Sequence, residues 1–179
     1  LLRQPPHLRE IRRRGAPPMT WFGAGPAAPG RAVLWFHAGG YVAGSARTHR
    51  GMLGRLARCA GVEVCAPDYR LVQQAPFPAA FEDALAAWLA LRAMGFRPSD
   101  IVLGGDSAGG GLALAVLSRC LRRGERPRAA VLFSPWTDLT LSGESLGTNA
   151  RADPLLPVDR VAELADLVAG EADRRDPRL

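Results

Sequence analysis

The chain has 179 residues, 47% of them hydrophobic and 22% charged. These are ordinary globular proportions, which exclude wholesale disorder and, at roughly 150 residues per domain, leave no room for a second full domain. Basic residues outnumber acidic ones 23 to 17, but every basic residue is Arg and only Arg9, Arg12, Arg13 and Arg14 form a tight group, so the formal charge of +6 does not describe a nucleic-acid surface.

In chain order, residues 1–18 are polar, Arg-rich and punctuated by Pro5, Pro6, Pro17 and Pro18, which predicts a short helix over 8–14 between breakers. Residues 19–22 have strand character, and Gly23, Gly25, Pro26, Pro29 and Gly30 follow as a turn-rich stretch. An alternating pattern then begins: a buried strand at 32–36, a helix at 48–60, a strand at 62–66, a helix at 77–94 and a strand at 101–104. A helix at 108–122 and a strand at 129–134 complete it. Strands alternating with helices of a dozen residues or more predict βαβ units, and hence a mostly parallel sheet with helices on both faces. Residues 135–157 read as a loop, 158–169 as an amphipathic helix and 171–179 as an aperiodic tail. The strand at 129–134 has no strand after it, and an apolar strand left at a sheet edge invites aggregation. The expectation is a fragment that lacks its C-terminal strands.

No uncharged apolar run approaches 18 residues, so no membrane span and no membrane partner are expected. Cys59, Cys65 and Cys120 form neither an even set nor a Cys-x-x-Cys spacing, which points to buried thiols rather than disulfides or zinc. A cytoplasmic location follows from reduced thiols, with an upstream signal peptide left open because the first residue is Leu1 rather than Met.

The strongest chemical signal is Gly105-Asp106-Ser107-Ala108-Gly109, with a predicted strand running into it and a predicted helix running out. Small residues there permit a sharp turn that lifts the Ser107 hydroxyl clear of the sheet and aims the Ala108 N–H at a developing oxyanion. The same residues also suit a Gly-rich helix cap or a phosphate loop, but a phosphate loop wants a Lys and the chain has none. A second signal, His37-Ala38-Gly39-Gly40-Tyr41, directly follows the strand at 32–36. Glycines there let backbone N–H groups approach a substrate carbonyl closely.

Together these blocks resemble the hormone-sensitive-lipase-like (family IV) carboxylesterases of the α/β-hydrolase superfamily. His37-Ala38-Gly39-Gly40-Tyr41 is similar to the family's oxyanion motif, and Asp68-Tyr69-Arg70-Leu71 with Pro76-Phe77-Pro78-Ala79-Ala80 resembles its next block. Gly105-Asp106-Ser107-Ala108-Gly109-Gly110 is similar to its nucleophile motif, and Ser134-Pro135-Trp136-Thr137-Asp138-Leu139 to the stretch after the following strand. The resemblance implies an α/β-hydrolase fold in which residues 1–30 are a remnant of an N-terminal cap region and linker, and 31–179 part of the catalytic domain. It implies Ser107 as nucleophile, the N–H groups of Gly39, Gly40 and Ala108 as the oxyanion hole, and His37 as support for that loop. It implies a small-molecule ester of short to medium acyl length as substrate, and no metal or organic cofactor. Lactone and N-acetyl substrates stay open, and no oligomeric state is read.

Three departures stand out. Ala38 occupies the place of the family's first Gly, at a cost of about 1–2 kcal/mol if that position has a positive φ. Val72-Gln73-Gln74-Ala75 replaces the family's Ala-Pro-Glu-His, which is expected to loosen that loop. The largest departure concerns the triad, which in this fold follows the order Ser, acid, His. His7, His37 and His49 all precede Ser107, and His7 and His49 read as solvated. Asp138, Asp153 and Asp159 follow Ser107, but Asp138 lies in a block that does not supply the family's triad acid. The chain is therefore expected to hold nucleophile and oxyanion hole without base or orienting acid, and to be nearly inert alone. Two other readings share these residues: a non-catalytic binding protein on the same scaffold, and a truncated product without function.

Overall fold

Val33 and Trp35 pack to one side of their strand, Leu34 and Phe36 to the other, and all four are buried. A strand buried on both faces requires a layer on each side of its sheet. The computed structural model, which describes residues 5–153, 156 and 158–179, supplies both layers. Residues 1–4, Pro154, Leu155, Pro157 and the side chain of Asp159 lie outside the described residues, so those parts of the predicted N-terminal segment, loop and last helix are not addressed.

Six strands, β1 (Arg9–Arg13), β2 (Met19–Gly23), β3 (Ala32–Phe36), β4 (Glu63–Pro67), β5 (Ile101–Asp106) and β6 (Ala129–Phe133), form one sheet in the order β1-β2-β4-β3-β5-β6. The β1·β2 and β2·β4 pairs are antiparallel, whereas β4·β3, β3·β5 and β5·β6 are parallel. Helix α1 (Arg50–Ala60) covers one face, where Leu53 and Ala57 meet Phe22, Val33, Trp35 and Val64. Helices α2 (Ala79–Ala93) and α3 (Ala108–Arg122) cover the other, where Trp88, Leu91, Leu112 and Val116 meet Leu34, Phe36, Cys65 and Leu103. Truncating a side chain as large and buried as Trp88 to Ala costs about 3–5 kcal/mol. After β6 come a single helical turn, α4 (Ser145–Thr148), inside the predicted loop, and α5 (Val158–Ala169), whose Ala165 and Val168 join the core. Among the described residues no helix is long and apolar enough to cross a membrane.

The predicted helix over 8–14 is a strand instead. All five residues of β1 are exposed, so a helix there would have had no apolar stripe to bury. The edge of β2 offers backbone partners in register from Arg9 opposite Gly23 to Arg13 opposite Met19, and tertiary pairing overrides local propensity. Three of its side chains are tied inward by ion pairs, Arg9 to Glu63, Glu10 to Arg50 and Arg12 to Asp68. The segment expected to be cap remnant and linker thus contributes two strands to the sheet. The thiols also divide: Cys65 and Cys120 are buried as expected, but Cys59, near the end of α1, is exposed. Burial pushes the Cys120 thiol up to about 12.

Strands β3 and β5 are parallel neighbours with Phe36 opposite Gly105. The chain segments leaving their C-terminal ends therefore emerge side by side, the place where this class of sheet builds its sites.

Candidate active site

Ser107 is the single residue between β5 and α3, with φ 52° and ψ −122°. A left-handed backbone at a residue with a Cβ costs of order 1–3 kcal/mol. Hydrogen bonds hold it there: the Ser107 N–H donates to the Phe133 carbonyl (2.9 Å), and the Ser107 carbonyl accepts from the N–H groups of Gly110 (2.9 Å), Gly111 (3.2 Å) and Trp136 (2.9 Å). At Gly109 a Cβ would run into the carbonyls of Phe36 and His37, so glycine lets the first turn of α3 press against the end of β3.

The segment after β3 is the other half of the site. Gly39 adopts φ 134°, its carbonyl accepts from the N–H groups of Val42 (3.0 Å) and Ala43 (2.9 Å), and a Cβ there would strike the Ala43 carbonyl. Gly40 is also left-handed, at φ 60°, whereas Ala38 is not, so the strain foreseen for an Ala at position 38 does not arise. Among the described residues none of the Gly39, Gly40 and Ala108 amides donates to a backbone carbonyl. Ala108 opens α3, where helical geometry leaves its N–H without an intrahelical acceptor. Leu164 of α5 reaches over this turn, its Cδ2 3.0 Å from where a Cβ on Gly40 would sit.

His37 is buried, with Nδ1 2.8 Å from the Ala38 carbonyl oxygen. A carbonyl only accepts, so the proton sits on Nδ1. The Tyr69 ring stacks on the imidazole with centroids 4.2 Å apart, and the Tyr69 hydroxyl donates to the His37 carbonyl at 2.7 Å. Burial lowers the His37 pKa and keeps the ring neutral. Tyr69 thus braces this loop.

His49 is not the solvated side chain expected from its polar neighbours. It is the N-cap position of α1, half-buried over the strand ends, with Nε2 3.2 Å from Asp106 Oδ2. Asp106 also accepts at Oδ1 from Trp35 Nε1 (3.0 Å). The hydrogen bond to Asp106 raises the His49 pKa against the opposing effect of burial. At Asp106 burial works upward, but the hydrogen bonds from His49 and Trp35 outweigh it and hold the carboxyl below its ordinary range. Periodicity missed this contact because the partner lies 57 residues away in sequence; the only sequence signal was an Asp beside the candidate nucleophile. His7 is exposed, as expected.

The Gln73-Gln74 departure is compensated. Gln73 Nε2 donates to the Val42 carbonyl and Gln74 Oε1 accepts from the Leu71 N–H, at 2.8 and 2.9 Å, so the loop expected to loosen is tied by amides. Next to it Arg70 makes a forked pair with the buried Asp83 of α2, which also accepts from the Arg70 N–H at 2.8 Å. Asp138 accepts from the backbone and hydroxyl groups of Thr140 and Ser142, and these bonds depress its pKa; it closes its own turn. Ser107, Ala108, Gly39, Gly40 and His37 therefore converge on two adjacent strand ends. Among the described residues no imidazole is hydrogen-bonded to Ser107.

Comparison with known proteins identifies the family and the fold. Residues 33–179 match the family described as alpha/beta hydrolase fold. An acetyl-hydrolase of Streptomyces hygroscopicus is 40% identical over 149 residues, covering 83% of this chain and 50% of that protein. An esterase of Acinetobacter venetianus is 34% identical, with 82% and 49% covered. Among solved structures, an esterase from the bacterial hormone-sensitive lipase family superposes with a TM-score of 0.93 at 43% identity, covering 99% of this chain and 60% of that one. The esterase EstE5 gives 0.93 at 37% identity with the same coverage. The chain spans about half the length of the curated relatives it matches.

Proposed function

The chain belongs to the hormone-sensitive-lipase-like branch of the α/β-hydrolase family, and from that premise we propose that the intact protein is a serine carboxylesterase acting on short to medium acyl esters. The observation that carries this reading is Ser107, held left-handed at the mouth of α3 beside Gly39, Gly40 and Ala108, whose amides donate to no backbone carbonyl among the described residues. Ser107 Oγ attacks the ester carbonyl carbon, and the oxygen that gains the electron pair is received by the three N–H groups. Collapse of that adduct breaks the bond to the alkoxy oxygen, which leaves as the alcohol with the proton taken from Ser107. Water then attacks the acyl-enzyme and releases the acid. Proton transfer needs a base, which the three histidines of this chain do not supply to Ser107. The 179-residue chain alone is accordingly nearly inert, and the intact protein supplies acid and base from outside it. His37 holds the donor loop, and Leu164 limits the room above Gly40.

The test is turnover of p-nitrophenyl butyrate by the intact protein, its Ser107→Ala variant and the 179-residue chain. The expected result is fast hydrolysis by the first alone. Turnover that survives Ser107→Ala contradicts the reading. A binding protein on the same scaffold is the second reading; saturable ester binding with no turnover by the intact protein would establish it.

A further inference from the structure

Two loops must hold still relative to each other for the proposed chemistry: the segment after β3, which presents Gly39 and Gly40, and the turn after β5, which presents Ser107 and Ala108. They are separate in sequence, and a misplacement of about 1 Å costs on the order of 100-fold in rate. Two carboxylates at strand ends fasten the first loop. Asp68, just past β4, accepts from the Ala46 N–H at 2.8 Å, and Asp106, the last residue of β5, accepts from His49 Nε2 at 3.2 Å. The second tie is the one that joins the two halves of the site, because the residue after Asp106 is Ser107.

Resting on the esterase reading, we propose that His49 is a positioning residue: its hydrogen bond to Asp106 fixes the donor loop against the nucleophile turn. The imidazole is itself held from behind, with Nδ1 2.9 Å from Thr48 Oγ1 and 3.3 Å from the Ser45 carbonyl. Trp35, wholly buried, fixes the other oxygen of Asp106.

The groups facing His49 are Asp106 from β5 and His37 from the loop after β3, the two rings 5.7 Å apart, with Asp68 acting on His37 from beyond β4. Asp106 favours the charged imidazole, and its effect exceeds that of burial. A histidine with a raised folded pKa contributes fully below its ordinary value and loses its contribution as pH rises through the raised one. The rate is therefore expected to decline on the alkaline side, as His49 loses its proton and its hydrogen bond to Asp106 loses charge assistance.

The experiment uses the intact enzyme with p-nitrophenyl butyrate. His49→Ala is expected to lower kcat by about 10- to 100-fold with KM little changed, and His49→Gln, which keeps a neutral donor, to recover part of it and to abolish the alkaline decline. In NMR titration, His49 should protonate above the ordinary imidazole range and return to it in Asp106→Asn. An unchanged kcat and pH profile in both His49 variants, with the parent active, overturns the positioning role. Titration of His49 in the ordinary range, or unaffected by Asp106→Asn, overturns the clamp itself. A parent without Ser107-dependent turnover overturns the esterase reading and the catalytic part of this one, and the titration still decides the clamp.

Discussion

Ser107 and Ser134 make an instructive pair. Each follows the last residue or so of a parallel strand, β5 and β6, and each has a left-handed backbone, φ 52° and φ 44°. Ser107 runs into α3, and its backbone makes four hydrogen bonds that tie β5, β6 and the helix together. Ser134 is exposed, precedes Pro135 and hands the chain to the loop after β6. Backbone strain alone therefore does not set Ser107 apart. What distinguishes Ser107 is that its strain is held by its surroundings at the N-terminus of α3, beside Gly39, Gly40 and Ala108, whose amides donate to no backbone carbonyl among the described residues.

The two serines should differ most in activity. In the intact protein Ser107→Ala should cost at least about a thousandfold in kcat, and Ser134→Ala no more than about twofold, by steady-state hydrolysis of p-nitrophenyl butyrate. Equal losses would remove the distinction. Stability sharpens it next. Gly109→Ala forces a Cβ into the Phe36 and His37 carbonyls and should destabilise by about 3 kcal/mol or more, whereas Gly147→Ala, in α4 with open space around it, should be neutral or gain up to about 1 kcal/mol. Chemical denaturation of both variants decides this. Asp83→Ala strands the Arg70 N–H and guanidinium without their buried acceptor and should cost about 1–2 kcal/mol in the same assay, discounted because Arg70 itself is largely exposed. The smallest effect is on selectivity: Leu164→Ala should raise kcat/KM for a hexanoyl over a butyryl ester by about three- to tenfold. An unchanged ratio would mean that α5 does not limit the acyl chain.

The parts of the fold legible in the sequence were those where burial writes a period. The strand at 32–36 and the helices at 108–122 and 158–169 sit where the apolar pattern puts them. Strand β1 was not legible because its register is set by a neighbour and its side chains carry no buried face. Ser107, Gly39 and Gly40 could be picked out because glycines at fixed offsets mark backbone that no other residue tolerates. The His49 to Asp106 contact and the Arg70 to Asp83 fork could not, since each joins residues whose local surroundings say only that they are polar. The two sheet edges make the same point. β1 is guarded by charge, as an edge strand should be, while β6 leaves Val131 and Phe133 exposed and has the composition of an interior strand.

The proposed mechanism stands or falls on Ser107 carrying the acyl group. The most direct test is mass spectrometry of the intact protein quenched during turnover of p-nitrophenyl butyrate, with the adduct mapped by peptide. A butyryl group on the peptide containing Ser107, absent from Ser107→Ala, is the predicted result. Turnover with no adduct, or with the adduct on another residue, would contradict the account.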